Sequence, residues 1–246
     1  MKILIMSGGN LKLDWAGKFL KDRKYDYIIA ADSGLEHLLD LGLKPNLILG
    51  DYDSLDSKIY DQIRDDENII KYPRKKDYTD TEIALRKAIE LLEENKREEQ
   101  TKDDRSQDQY DRSQNQHDRS QDQHDSIDLL AATGSRFDHT LTNVSIMKLA
   151  LKKEIDACIF DEHNKIYLLD SGKAAKLDKD KQYGDFVSLI PMSPDCYVRT
   201  WGMEYDIKEF SLLEQGLSLT QSNEIKERQA FIELSRGWCV LVESKD

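Results

Sequence analysis

Two carboxylates one residue apart, Asp51 and Asp53, close the stretch Asn46-Leu47-Ile48-Leu49-Gly50-Asp51-Tyr52-Asp53-Ser54. A short apolar run precedes them, and Gly50 breaks it. Oxygen ligands so placed suit a hard cation. Mg²⁺ in particular is held by one or two carboxylates together with the phosphates of a substrate. An isolated Asp-x-Asp is also an ordinary polar turn with Asx-type hydrogen bonds. Repetition raises the chemical reading above that one. Asp32-Ser33-Gly34 follows another apolar run, Asp77-Tyr78-Thr79-Asp80 a third, and Arg136-Phe137-Asp138-His139 a fourth. Arg74, Lys75 and Lys76 stand just before Asp77. Cations fit for phosphate oxygens therefore sit beside carboxylates fit for a metal. His139, at a helix start, is read as a backbone-bonded histidine rather than a general base.

These clusters need rigid elements to carry them. Apolar runs at residues 2–6, 27–31, 47–49, 69–72 and 127–132 read as strands, and helical spacing marks 15–21, 35–39, 81–92 and 141–152. Such alternation predicts an α/β fold with a parallel sheet and helices on its faces. Ligands of open α/β sheets bind outside the carboxyl ends of the strands, where all four clusters fall. From residue 155 the pattern changes to short strands at 157–160, 165–169, 186–190, 197–200 and 240–243, with turn residues at 170–172 and 191–195. This predicts an antiparallel β-sandwich. The expected division is an α/β domain at 1–153 and a β-sandwich domain at 154–246. The stretch 217–224 reads as an exposed hairpin within the second.

Residues 104–124 are three tandem heptads of the type Asp-Arg-Ser-Gln-Asp-Gln-His. A coiled coil needs two apolar positions in each, and they are missing. The segment 96–126 has too little apolar surface to offset its ordering entropy. It is read as a disordered or loosely helical insertion.

The chain has 246 residues, with 36 Lys and Arg against 48 Asp and Glu and a net charge of −12. That balance argues against a general nucleic-acid binder, which needs a basic face. No apolar run approaches the ~20 residues of a membrane span. The apolar start at residues 3–6 is too short for a signal peptide and reads as a first strand. Cys158, Cys196 and Cys239 are widely spaced and suggest neither a disulfide framework nor a zinc site. The expectation is a soluble cytoplasmic protein without nucleic-acid or membrane partners.

Taken in order, the clusters resemble the thiamine pyrophosphokinase family. The family pattern runs Ala-Asp-Gly-Gly, Gly-Asp-x-Asp-Ser, Lys-Asp-x-Thr-Asp-x-Glu and Gly-Arg-x-Asp-His. Here it is matched by Ala31-Asp32-Ser33-Gly34, Gly50-Asp51-Tyr52-Asp53-Ser54, Lys76-Asp77-Tyr78-Thr79-Asp80-Thr81-Glu82 and Ser135-Arg136-Phe137-Asp138-His139. Gly202-Met203-Glu204-Tyr205 and Ser222-Asn223 resemble two further family segments. Ser33 and Ser135 replace family glycines, and the heptads have no family counterpart.

The resemblance implies transfer of the terminal pyrophosphate of ATP to the hydroxyl of thiamine, giving thiamine pyrophosphate and AMP. It implies Mg²⁺ and a homodimer with active sites between subunits. Asp51, Asp53 and Asp80 are then the metal and triphosphate ligands, with Asp77 beside them. One of these carboxylates accepts the hydroxyl proton. Arg136, with Lys76 second, stabilises phosphate charge. Asp32, Ser33, Thr79 and Asp138 complete the ATP site. Ser222 and Asn223 hold the thiamine pyrimidine across the subunit boundary. Two rival readings stand beside this one. A non-catalytic binding module could dispense with most of the carboxylates. A phosphohydrolase using Asp-x-Asp as nucleophile leaves Ser222-Asn223 unexplained.

Overall fold

The computed structural model describes residues 1–50, 69–71, 77–107, 125–208, 210–212 and 217–246. The expected apolar runs form β1 (Lys2–Met6), β2 (Tyr27–Ala31), β3 (Leu47–Gly50), β4 (Ile69–Lys71) and β5 (Ser126–Leu130). They pair in parallel in the order β4-β3-β2-β1-β5. Ile3, Leu4, Ile5 and Met6 are all fully buried. A strand apolar on both faces needs cover on both. Helices α1 (Leu13–Lys21) and α2 (Gly34–Asp40) cover one side, where Leu35 and Leu38 meet Leu4, Met6 and Ala30. Helices α3 (Asp80–Gln107), α4 (Phe137–Ile146) and α5 (Lys148–Leu151) cover the other.

Helix α3 starts with a capping arrangement: the Glu82 backbone N–H donates to Thr79 Oγ1 at 3.2 Å. Ala84, Leu85, Ala88 and Leu92 turn inward and are fully buried. Removing the Leu85 side chain as Leu85→Ala should cost about 2–5 kcal/mol. Denaturant unfolding measures it, and a cost well under ~1 kcal/mol would mean this face is not packed against the sheet.

The inward face ends at Leu92, where the apolar spacing ends, yet the helix runs on to Gln107. Good helix formers such as Glu93, Glu94, Lys96 and Arg97 extend it beyond its apolar face. Local ties help: Asn95 donates to Glu99 at 3.1 Å, Lys153 pairs with Glu93 at 2.7 Å and Lys96 with Asp125 at 3.4 Å. The expected insertion at 96–126 therefore overlaps ordered elements at both ends, since Ser126 opens β5 and Asp125 accepts the Met1 amine at 2.9 Å. Its middle, 108–124, lies outside the described residues. The helix expected at 141–152 starts earlier and is broken in two by a turn at Met147.

The second half is a sandwich that shares a sheet with the first. Strand β6 (Asp156–Phe160) pairs in parallel with β5, so hydrogen bonding is continuous past residue 153. Strand β7 (Asn164–Asp170) then turns back antiparallel, followed by β13 (Trp238–Ser244) and β9 (Phe186–Pro191), completing nine strands. A separate four-stranded antiparallel sheet has the order β11 (Phe210–Ser211), β10 (Tyr197–Trp201), β12 (Gln229–Arg236), β8 (Ala174–Asp178). Its Leu177, Val198, Ile232 and Leu234 share a core with Leu169, Leu189, Cys239 and Leu241 of the large sheet.

Strands β8 and β12 go beyond the sequence reading. In β12, Ala230, Ile232 and Leu234 point inward, but the outward Phe231 interrupts the apolar–polar alternation. The expected hairpin at 217–224 is instead a single 3₁₀ turn, Leu217–Thr220, followed by Asn223 bridging to Val187. Across the join, Trp15, Phe19, Phe160 and Tyr183 stack in series with ring centroids 5.1, 4.8 and 5.7 Å apart.

Candidate active site

The carboxyl ends of β1, β2 and β5 and the first turns of α3 and α4 enclose a cavity of about 410 Å³. One wall is Ser7-Gly8-Gly9-Asn10 after β1. Asp32 after β2, Thr79-Asp80-Thr81 at the start of α3, and residues 131–136 after β5 form the others.

Backbone pairing builds this shape. The Ser7 N–H donates to the Leu130 carbonyl at 2.9 Å, Gly9 to Ala131 at 2.7 Å and Asn10 to Thr133 at 3.0 Å. The β1–β5 ladder thus continues into the loops and ties them together. A Cβ on Gly9 would fall onto the carbonyl oxygens of Thr133 and Ala131. Glycine is required for that close approach. The buried Asn143 amide donates to the Ala132 carbonyl at 2.7 Å. Asp32 has φ of 52° and Ala131 φ of 53°, so both strand ends turn sharply through the left-handed region. Asp32 is a residue type that tolerates it; Ala131 is held there by the surrounding bonds. His37 Nε2 bonds the Gly9 carbonyl at 2.8 Å, and the hydroxyls of Ser7 and Thr81 meet at 3.2 Å.

Four of the expected residues, Asp32, Thr79, Asp80 and Arg136, line this one cavity. Two more adjoin it. Ser33 Oγ donates to the Gly8 carbonyl at 3.4 Å. Asp138 grips Arg136 with two prongs, Nη2 to Oδ2 at 2.6 Å and Nε to Oδ1 at 3.2 Å. That bond holds the Asp138 carboxyl below its usual range and Arg136 above its own. Both side chains are about two-thirds exposed. A pair so solvated adds little stability and can re-aim its guanidinium at small cost.

Asp77 is exposed and is not part of the cavity wall. Ser222 and Asn223 belong to the sandwich and do not line the cavity either. Ser222 is exposed with φ of 53°. Asn223 is buried: Oδ1 accepts from Tyr205 N at 3.1 Å and Glu224 N at 2.9 Å, and Nδ2 donates to the Tyr205 carbonyl at 2.9 Å. Its amide shapes the Tyr205 turn. Asp51, Asp53 and Lys76, with Arg74 and Lys75, lie outside the described residues.

The sequence reading did not assign Ser7, Asn10, Thr81, Thr133 or Asn143 to the site. Gly8-Gly9 directly after the first strand is the signal for Ser7 and Asn10, although a tight turn explains that pair equally well, and Thr81 stands within the matched segment 76–82.

Among the described residues no group of three or more His, Cys, Asp or Glu could hold a metal ion. Asp32 and Asp80 nevertheless bring carboxylates, and Ser7, Thr79 and Thr81 hydroxyls, to one cavity. These hard oxygen donors fit Mg²⁺, which needs few protein ligands when a substrate's phosphates supply others.

Comparison with known proteins bears on both halves. The family profile described as thiamin pyrophosphokinase, catalytic domain, matches residues 22–159, and that of the thiamin pyrophosphokinase vitamin B1 binding domain matches residues 175–239. The thiamine pyrophosphokinase of Bacillus subtilis (strain 168) is 26% identical over 221 residues, covering 89% of this chain and 87% of that one. Among solved structures, the thiamin pyrophosphokinase of Geobacillus thermodenitrificans superposes with a TM-score of 0.71 at 25% identity, covering 100% of this chain and 98% of its own. The Bacillus subtilis structure (TM-score 0.75, 24% identity, 100% of both chains) and the yeast enzyme (0.70, 18%, 98% and 85%) share the fold.

Proposed function

This chain belongs to the thiamin pyrophosphokinase family, and from that premise we propose that it transfers the terminal pyrophosphate of ATP to the hydroxyl of thiamine. The observation that carries the proposal is the convergence of Asp32, Thr79, Asp80 and Arg136 on one cavity at the carboxyl ends of a parallel sheet. The new bond joins the thiamine hydroxyl oxygen to the β-phosphorus of ATP. The bond that breaks joins that phosphorus to the oxygen bridging to the α-phosphate, and AMP leaves with it. The hydroxyl proton passes to a carboxylate of the site. Such a transfer needs charge neutralisation and alignment more than covalent catalysis.

In this proposal the half at 1–153 holds the nucleotide and the half at 154–246 holds thiamine. Asp80, with Asp51 and Asp53 from the sequence pattern, holds Mg²⁺, and Asp77 stands beside them. The metal neutralises phosphate charge when bound. Asp32, Ser33, Lys76 and Thr79 complete the nucleotide site. The first turns of α3 and α4 face the cavity, and helix N-termini so placed favour anions. Arg136 swings from Asp138 to the phosphates as ATP enters. The protein acts as a homodimer in the cytoplasm, and Ser222 and Asn223 reach the thiamine of the neighbouring subunit's site. No helix of the described residues is long and apolar enough to cross a membrane.

Product analysis with ATP, Mg²⁺ and thiamine tests the proposal. AMP and thiamine diphosphate in equal amounts are expected. ADP with thiamine monophosphate would mean a single phosphoryl transfer. Phosphate release that ignores thiamine would mean a hydrolase.

A further inference from the structure

Thr133 lies in the cavity wall, yet its hydroxyl is answered from outside the α/β half. Thr133 Oγ1 donates to Asp161 Oδ2 at 3.0 Å. Asp161 opens the turn between β6 and β7 and is held from many sides. Its Oδ1 accepts from His163 N at 2.9 Å, Asn164 N at 2.8 Å and Asn164 Nδ2 at 2.9 Å, and Oδ2 also accepts from Asn164 Nδ2 at 3.2 Å. Asp161 N donates to the Asn164 carbonyl at 2.9 Å, and the Tyr183 hydroxyl donates to the Asp161 carbonyl. The carboxylate is thus a fixed acceptor. The Thr133 backbone is equally fixed, because the carbonyls of Ala131, Ala132 and Thr133 each accept a bond from Gly9, Asn143 or Asn10.

A hydroxyl has one proton to give. With that proton held by Asp161, the Thr133 oxygen offers only lone pairs to the cavity. Phosphate oxygens are acceptors and cannot use them. A hydrogen-bond donor of the ligand can.

We propose that Asp161 is a positioning residue that sets Thr133 as an acceptor for a donor group of the bound nucleotide, a sugar hydroxyl or the amino group of its base. The inference rests on the nucleotide occupying this cavity, as in the proposed function. It makes the β6–β7 turn a determinant of nucleotide affinity and leaves the reacting phosphates to other residues.

The substitution Asp161→Asn keeps the size of the side chain and can keep the turn, but places an amide donor on Thr133. The hydroxyl must then accept from that amide and turn its proton into the cavity. Thr133→Val removes the hydroxyl at nearly constant volume. Each change should raise the KM for ATP about threefold to tenfold, the size of one hydrogen bond, with kcat and the KM for thiamine within about twofold of wild type. Thr133→Ser should restore the wild-type KM. In the double variant the effects should not multiply, since both act on one bond.

The analogues 2′-deoxyATP, 3′-deoxyATP and ITP identify the donor. One of them should bind the wild type more weakly than ATP and bind Thr133→Val no worse than ATP does. Equal changes in kcat and both KM values, multiplying effects, or analogues that Thr133 never discriminates would each overturn the proposal. Calorimetric titration of the folded variants with ATP gives the same comparison as binding constants. It keeps this inference separate from the transfer reaction: a protein that binds ATP through Thr133 but makes no thiamine diphosphate overturns only the proposed function.

Discussion

Asp80→Asn is expected to lower kcat for thiamine diphosphate formation by about two to three orders of magnitude, the scale seen when one preorganised electrostatic group is removed. The fold should survive. Asp80 is the first residue of α3, but the bond that caps the helix is made by Thr79 to Glu82, and that bond is untouched. The variant gives up a negative charge in the first helical turn, worth about 0.3–1 kcal/mol and not enough to unfold a domain of this size. The chemical loss is larger because Asp80 lines the cavity where a triphosphate and its cation would sit. Asparagine keeps the shape and one oxygen but surrenders the charge. Raising the Mg²⁺ concentration should recover part of the rate if the carboxylate holds the metal. An Asp80→Asn enzyme with wild-type kcat and an unchanged melting temperature would remove Asp80 from the mechanism.

Arg136→Ala is expected to lower kcat/KM for ATP by about a hundredfold, with little change in thermal stability. The stability side follows from exposure: the Arg136–Asp138 pair is well solvated and contributes little to folding. The activity side follows from position, at the cavity rim beside the start of α4. Arg136→Lys should recover only part of the loss. A lysine carries the charge but not the planar fork that holds two phosphate oxygens at once. Asp138→Asn makes the contrasting test. It weakens the grip on Arg136 without removing the guanidinium, so activity should stay within about tenfold of wild type and the KM for ATP should move in either direction by less than in Arg136→Ala. If Asp138→Asn is as damaging as Arg136→Ala, Asp138 itself contacts the substrate rather than parking the arginine. Calorimetry with ATP and circular dichroism melts separate the two cases.

Local sequence determined a good deal of this molecule. Leu47-Ile48-Leu49 and Ile3-Leu4-Ile5 read as strands buried on both faces, because such short apolar runs, stopped by glycine or a polar cluster, suit a covered strand better than a helix. Their alternation with helical spacing then implied a parallel sheet, and a parallel sheet puts its strand ends, and Asp32, on one edge. Thr79 marks the start of α3, where its hydroxyl accepts the Glu82 backbone N–H. The family pattern was legible for the same reason, since it consists of the residues at those strand ends.

Tertiary structure decided the rest. Asp77 and Asp80 both stand in the same matched segment, but only Asp80 has entered the helix and lines the cavity, while Asp77 stays in the exposed loop before it. Helix α3 outlasts its apolar face by fifteen residues, 93–107, and in 93–99 side-chain ties such as Asn95 to Glu99 and Lys153 to Glu93 accompany good helix formers. That the Asn223 amide also engages the Tyr205 backbone is visible only in the folded chain. The bond from Thr133 to Asp161 spans two elements and leaves no trace in either local pattern. Periodicity records which face of an element avoids water. Which partner covers that face, and which loops then meet, depends on packing between residues distant in the chain. That is why the sequence alone placed the chemistry at one edge of the sheet, and only the folded chain chose which side chains share the cavity there.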